Sequence, residues 1–227
     1  MKALVLCSGG LDSTTCLALA IEKYGKEEVL ALAVFYGQKH RRELQAAQDV
    51  ADYYGVMLKR LDLAQIFADS DCSLLQGSNA EIPKESYAEQ LSETDGKPVS
   101  TYVPFRNGLF LSSAASIALS CGCEVIYYGA HSDDAAGSAY PDCSEEFNNA
   151  INTAIFLGSG KQLRVEAPFV ARTKADVVAE GMRLKAPYHL TWSCYEGGET
   201  PCGLCGTCRD RAAAFAANGI ADPALTK

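Results

Sequence analysis

Two groups of residues have the types and spacing to do chemistry, and they lie at opposite ends of the chain. Ser8-Gly9-Gly10-Leu11-Asp12-Ser13 follows the apolar run Ala3 to Cys7 and precedes a helical pattern. Glycines let the backbone approach a ligand closely. The N–H groups of a helix start, beside the hydroxyls of Ser8, Ser13, Thr14 and Thr15, form an anion cradle assisted by the helix dipole. The loop lacks the Gly-Lys-Ser/Thr ending of a Walker A loop and is not a Gly-x-Gly-x-x-Gly fingerprint. Its bland alternative is a Gly-rich turn in which Asp12 or Ser13 only caps the helix. At the other end, Cys194, Cys202, Cys205 and Cys208 are separated by seven, two and two residues. Four thiolates make a closed tetrahedral set for zinc, a structural rather than a catalytic arrangement. Iron–sulfur clusters also use Cys-x-x-Cys-x-x-Cys runs, so the spacing leaves iron open. Four unligated thiols are the weaker reading, because the segment offers few apolar neighbours to bury them.

The elements that must position these groups are legible as alternating strands and helices. Ala3 to Cys7 and Val29 to Phe35 are uninterrupted apolar runs of buried-strand type, and Val56 to Leu61 supplies a third strand. Leu17, Ala20, Ile21 and Tyr24 mark one helix closed by Gly25; Leu44, Ala47, Ala51 and Tyr54 mark a second closed by Gly55. Further helices are expected near 107–120, 144–157 and 209–217, with strands near 124–128 and 162–166. Thr173 and Asp176 form a capping-box-like start to a helix running to about Leu184. The order implies an α/β fold with a doubly wound parallel sheet. Residues 68–101 lose all periodicity, as expected of a disordered stretch or a functional lid. Residues 1–188 are expected to form the nucleotide-binding domain, and 189–227 a small metal-binding segment with a final helix.

The 227 residues are 48% hydrophobic and 21% charged, the composition of an ordinary soluble globular domain. Twenty Lys and Arg against 28 Asp and Glu give a net charge of −8, which disfavours a sequence-independent hold on nucleic acid. No charged-then-apolar leader opens the sequence and no apolar run can cross a bilayer, so a cytoplasmic protein without a membrane partner is expected. Thiols stay reduced there, which makes clustered cysteines metal ligands or redox centres rather than disulfides. Of the ten cysteines, Cys7 and Cys16 fall on apolar faces as core residues and Cys121 and Cys123 are expected to pack at a helix end.

The Ser-Gly-Gly-Leu-Asp-Ser loop resembles the pyrophosphate loop of the ATP pyrophosphatase superfamily. Taken with Phe35-Tyr36-Gly37-Gln38-Lys39-His40, Val103-Pro104-Phe105-Arg106-Asn107, Tyr140-Pro141-Asp142-Cys143, Thr173-Lys174 and the four terminal cysteines, the sequence resembles the 7-cyano-7-deazaguanine synthase (QueC) family over nearly its whole length. The resemblance implies an adenine nucleotide alpha hydrolase-like, Rossmann-like fold and an ATP-dependent carbon–nitrogen ligase. It further implies 7-carboxy-7-deazaguanine as substrate, ammonia as nitrogen donor, ATP with Mg2+, a bound Zn2+ and a homodimer. No glutaminase pattern of nucleophilic Cys and partner His is evident, consistent with free ammonia.

The resemblance places phosphate and magnesium binding at Ser8, Gly9, Gly10, Asp12, Ser13 and Thr14. Cys7, Leu11, Thr15, Cys16 and Leu17 complete the nucleotide-binding stretch. Asp12, Ser13, Arg106 and Lys174 are the expected catalytic residues, with Arg106 on the substrate carboxylate or a phosphate and Lys174 on a phosphate. Tyr36, Gln38, His40, Asn107, Tyr140 and Asp142 are the expected substrate contacts. Tyr140 would stack on the base, and Asp142, following the rigid turn Tyr140-Pro141 expected after a strand, would read its N1–H and exocyclic amine; the plain alternative for Asp142 is a helix cap ahead of Ser144. His131 and His189 receive no role. The rival readings are another enzyme of the superfamily acting in tRNA thiolation, amidation or protein modification, and a non-catalytic nucleotide or zinc module.

Overall fold

The apolar runs assemble into one parallel sheet because each is bordered by a helix that carries the chain back to the same edge. The computed structural model describes residues 1–85, 90, 98–136 and 139–225. Strands β1 (Ala3–Leu6), β2 (Val29–Phe35), β3 (Met57–Asp62), β4 (Val125–Tyr127) and β5 (Arg164–Glu166) lie in the order β3-β2-β1-β4-β5. In register, Ala3 pairs with both Val29 and Val125, Leu30 with Met57, and Val125 with Arg164. The helices are α1 (Leu11–Tyr24), α2 (Arg42–Tyr54), α3 (Arg106–Ser120), the single turn α4 (Ser132–Ala135), α5 (Glu145–Gly158), α6 (Lys174–Arg183) and α7 (Gly206–Ala217).

Alternation along the strands divides the core in two. Ala3, Val5, Val29, Ala31, Ala33 and Tyr127 pack with α1, α2, α6 and α7, whereas Leu4, Leu30, Leu32, Val34 and Ile126 pack with α3 and α5. Both faces being covered, the central strands must be apolar throughout, and each fully buried Leu or Val contributes roughly 1.5–3 kcal/mol. The expected doubly wound sheet is thus the observed one, and the capping box of Thr173 and Asp176 opens α6.

Three expectations change. The last helix begins at Gly206, because Cys205 is its N-cap. Tyr140-Pro141 follows the turn α4 and not a strand directly, with residues 137 and 138 outside those described. Part of the polar stretch is ordered against the loop after β2 rather than disordered: Lys39 N–H donates to Leu74 O at 2.8 Å and Gln76 N–H to Gly37 O at 2.8 Å. Cys72, Leu74 and Leu75 are buried there with Tyr36, Phe67 and Val103, a buttress beneath the loop after β2. Residues 86–89 and 91–97, the remainder of the expected lid, lie outside the described residues.

The C-terminal segment shares the main core. Phe215 is buried edge-on against Tyr188 at 5.4 Å. Arg211 donates to both carboxylate oxygens of Asp222, at 2.6 and 2.8 Å, and to Thr191 Oγ1 and Tyr188 O, all in buried surroundings. No helix among the described residues is long and apolar enough to cross a membrane.

Candidate active site

The carboxyl ends of β1, β2 and β4 open on a cavity of about 210 Å³. An open parallel sheet binds ligands at this place, where successive strands depart to opposite sides. Cys7, Ser8, Gly10, Asp12 and Ser13 line the cavity. Their loop is braced by its own hydroxyls: Ser8 N–H donates to Ser13 Oγ at 3.2 Å, the Ser8 and Ser13 hydroxyls bond at 3.1 Å, and Gly10 N–H donates to Ser8 Oγ at 3.3 Å. Gly10 is the N-cap of α1 and brings no side chain to its first-turn N–H groups, which suits them to an anionic ligand. Gly9, at φ 81°, lies on the first turns of α2; a Cβ there would overlap Ala47 N and sit 2.6 Å from Glu43 O.

Only the front of the expected nucleotide stretch faces this space. Thr14, Cys16 and Leu17 are 0% exposed and belong to the helix's buried side. Thr15 Oγ1 donates to Leu11 O at 2.9 Å and bonds Tyr188 OH at 2.7 Å, so it supports the loop from behind.

Asp12 and Lys174, brought together from α1 and α6, form one ion pair: Lys174 Nζ is 3.5 Å from Asp12 Oδ2. Lys174 Nζ also lies 3.3 Å from His131 Nε2, and that nitrogen lies 3.3 Å from Asp134 Oδ2. Burial alone would lower the Lys174 ammonium, but the charges of Asp12, Asp134 and Asp210 outweigh it and hold the pKa above its ordinary value. Lys174 is therefore a fixed cation at the cavity wall. No local motif marks His131, 1% exposed, because only the turn after β4 carries it to Asp12.

The second cation is Arg106, at the start of α3. Its guanidinium lies over the rings of Tyr36 at 5.3 Å and Phe110 at 5.9 Å. It has no carboxylate within ion-pair distance among the described residues, and it faces the cavity with Tyr36, Gln38 and Asn107. Gln38 Oε1 accepts from Tyr36 N–H at 2.9 Å, which fixes its amide. Glu43, half-buried in the first turn of α2, also lines the cavity and was missed by the motif reading. Burial raises its carboxyl to about 7, against the opposing pull of Arg106 and a Gln38 hydrogen bond.

Three expected contacts are not in the cavity wall. Asp142 Oδ2 accepts from Asn107 N–H at 2.8 Å, so it caps α3, while Ser144 caps α5 by itself through Phe147 N–H at 3.1 Å. Tyr140 bonds Thr101 Oγ1 through its hydroxyl at 2.6 Å. His40 packs on Gly197, whose missing Cβ leaves room for the ring. Asp142 thus supports the first turn of α3, and His40 packs against the cysteine segment.

The four expected metal ligands converge: the sulfurs of Cys194, Cys202, Cys205 and Cys208 all lie within 4.8 Å of one another. Cys202 N–H donates to Cys194 Sγ at 3.3 Å, and the N–H groups of Leu204 and Cys205 to Cys202 Sγ at 3.4 Å, the outer bonds that orient thiolate ligands. Hydrogen bonds from Cys205 and Cys208 hold Cys194 well below the ordinary thiol range and push those two up. A metal ion suits this donor set, since it replaces the shared protons. Apolar residues are few in the segment, and cover comes from Ile82 outside it together with Trp192 and Tyr195 beside Cys194. Cys7, Cys16 and Cys123 are buried as expected of packing residues, and Cys143 joins them at 6% exposed.

The cluster is tied to the phosphate loop. Trp192 N–H donates to Gly9 O at 2.9 Å, and Trp192, Ser193 and Tyr195 complete the cavity wall.

Residues 2–219 match the family model for queuosine biosynthesis protein QueC. The 7-cyano-7-deazaguanine synthase of Archaeoglobus fulgidus is 44% identical over 227 residues, covering 100% of this chain and 90% of its own length. That of Caldicellulosiruptor bescii is 40% identical over 223 residues, covering 98% of this chain and 96% of its own. With this cavity and this cysteine cluster, the chain belongs to the QueC family of queuosine biosynthesis proteins.

Proposed function

We propose that this chain is a 7-cyano-7-deazaguanine synthase, a ligase that uses ATP and ammonia to turn the 7-carboxylate of a deazaguanine into a nitrile. The observation that carries the reading is the full-length likeness to curated enzymes of that name. The cavity supplies the parts such a reaction needs. A carboxylate is a poor electrophile until its oxygen becomes a leaving group, so the first step is attack of that oxygen on the α-phosphorus of ATP with release of pyrophosphate. First-turn N–H groups after Gly10 and the Ser8 and Ser13 hydroxyls suit the departing pyrophosphate, with Lys174 as a fixed counter-charge. Arg106, with no carboxylate within ion-pair distance among the described residues, suits the substrate carboxylate, and Tyr36 and Gln38 the ring.

Ammonia then attacks the carbonyl carbon, AMP leaves with the oxygen, and the amide forms. The amide oxygen is adenylated in the same way, and loss of AMP and of the remaining N–H protons leaves the nitrile. Asp12 and Asp134, hard oxygen donors that both line the cavity, are the side chains that would hold Mg2+, whose charge would neutralise the phosphates. The crowding of four sulfurs within 4.8 Å suits a single Zn2+ with bonds near ~2.3 Å better than a cluster, whose irons and sulfides spread the thiolates apart. A homodimer and a cytoplasmic setting follow from the family resemblance.

The test is to incubate the purified protein with ATP, Mg2+, ammonium and 7-carboxy-7-deazaguanine and to follow products by mass spectrometry. Nitrile with AMP is expected. Unchanged substrate with metal-replete protein, or ADP in place of AMP, contradicts the reading. Elemental analysis should give one zinc per chain, and sulfide with iron would reverse the metal assignment.

A further inference from the structure

The ligase reaction sheds three protons from nitrogen: one when ammonia becomes the amide, and two when the amide becomes the nitrile. Neither carboxylate of the motifs is placed to take them: Asp12 lines the cavity but is paired, and Asp142 caps α3 outside the cavity wall. Of the carboxylates lining the cavity, Asp12 is paired with Lys174 at 3.5 Å, and Asp134 lies 3.3 Å from His131. Glu43 alone among them has no cation within ion-pair distance among the described residues.

Its position is built rather than incidental. Gly9 lies against the backbone of Glu43 and Ala47, so the first turn of α2 is pinned to the phosphate loop. From the other side, Gln38 is fixed by accepting Tyr36 N–H at 2.9 Å, which leaves its amide N–H groups to bond the Glu43 carboxylate. The charged and titratable groups facing Glu43 are Arg106 from α3 and Tyr36 from the loop after β2. Arg106 favours the carboxylate form, and burial opposes it.

We propose that Glu43 is the proton acceptor for the reacting nitrogen in both rounds, an inference that rests on the ligase reading above. In the first round the C–N bond forms, the bond from carbon to the AMP oxygen breaks, and one N–H proton passes to Glu43. In the second the same carbon–oxygen bond type breaks as the nitrogen gives up its two remaining protons, one at a time. Between transfers Glu43 returns each proton to water through the open cavity. A carboxyl whose pKa stands near neutrality is suited to accept a proton and to release it.

The experiment separates adenylation from nitrogen chemistry. Wild type, Glu43→Gln and Glu43→Asp are compared in substrate-dependent exchange of labelled pyrophosphate into ATP, and in nitrile formation at saturating ammonium between pH 5.5 and 9. Glu43→Gln is expected to support exchange within about threefold of wild type while nitrile formation falls by ~100-fold or more. Glu43→Asp should recover part of the loss. Wild-type kcat should rise through an ionisation near pH 7 that Glu43→Gln lacks, because the base must be unprotonated. Nitrile formation by Glu43→Gln at the wild-type rate overturns the proposal, and so does parallel loss of exchange and nitrile, which marks a structural role. Absence of exchange in the wild type is a different failure: it removes the ligase reading on which the proposal stands.

Discussion

The phosphate loop and the cysteine segment solve the same problem, holding irregular backbone in a fixed shape, by opposite means. Residues 8–13 are fixed from beneath: the loop lies between two strands and two helices and is braced by its own hydroxyls. The stretch from Cys194 to Cys208 has no strand and little apolar content, so its shape depends on four sulfurs, on Arg211 and on Trp192 and Tyr195. The loop offers first-turn backbone amides beside its hydroxyls, whereas the segment offers four side-chain sulfurs. The difference shows why only the first can meet a reacting ligand. Its donors are left open, whereas a four-thiolate set is closed on itself. Joined by the Trp192–Gly9 hydrogen bond, the second region serves as a wall for the first.

The largest expected effect breaks the cysteine side. Arg211→Ala leaves Asp222 as an unpaired buried carboxylate, a loss of about 3–5 kcal/mol. A thermal melt should fall by roughly 10 °C, at ~2–4 °C per kcal/mol for a chain of this size. Weakened ATP binding in the same variant would show that the wall matters to the loop; unchanged ATP affinity would make the two regions independent. Gly9→Ala attacks the loop instead. A Cβ at φ 81° would overlap the backbone of α2, costing about 3 kcal/mol of stability from strain and overpacking together. Metal content should stay normal while ATP binding is lost, and loss of metal would contradict the division of labour. The smallest effect is Asp142→Ala, which removes the cap of α3 at Asn107 and should cost about 1 kcal/mol in a denaturant melt. Loss of substrate affinity far beyond that figure would return Asp142 to the base-reading role that the sequence suggested.

What the residues disclosed in advance followed from local physics. Continuous apolar runs specify two-faced strands, glycines end α1 and α2, and a hydroxyl–carboxylate pair opens α6, so the sheet and most helices were legible. The loop and the cysteines were legible because their chemistry is carried by neighbours in sequence. Residues whose role depends on distant partners were not. His131 reaches Asp12 only through the parallel pairing of β1 with β4, and Glu43 looks like any acidic residue in a first helical turn. Asp142 stands beside Ser144 in sequence, yet its hydrogen bond goes to Asn107, 35 positions earlier. Residues 14–17 differ from 8–13 for a related reason: a motif extends along the chain, but α1 turns those later side chains away from the cavity.

The central claim, that the loop activates a carboxylate twice by transfer of AMP, is tested most directly with 7-carboxy-7-deazaguanine carrying oxygen-18 at both carboxylate positions. Two AMP molecules should form for each nitrile, each holding one labelled oxygen and leaving none in pyrophosphate. Unlabelled AMP, or label in inorganic phosphate alongside ADP, would contradict the account.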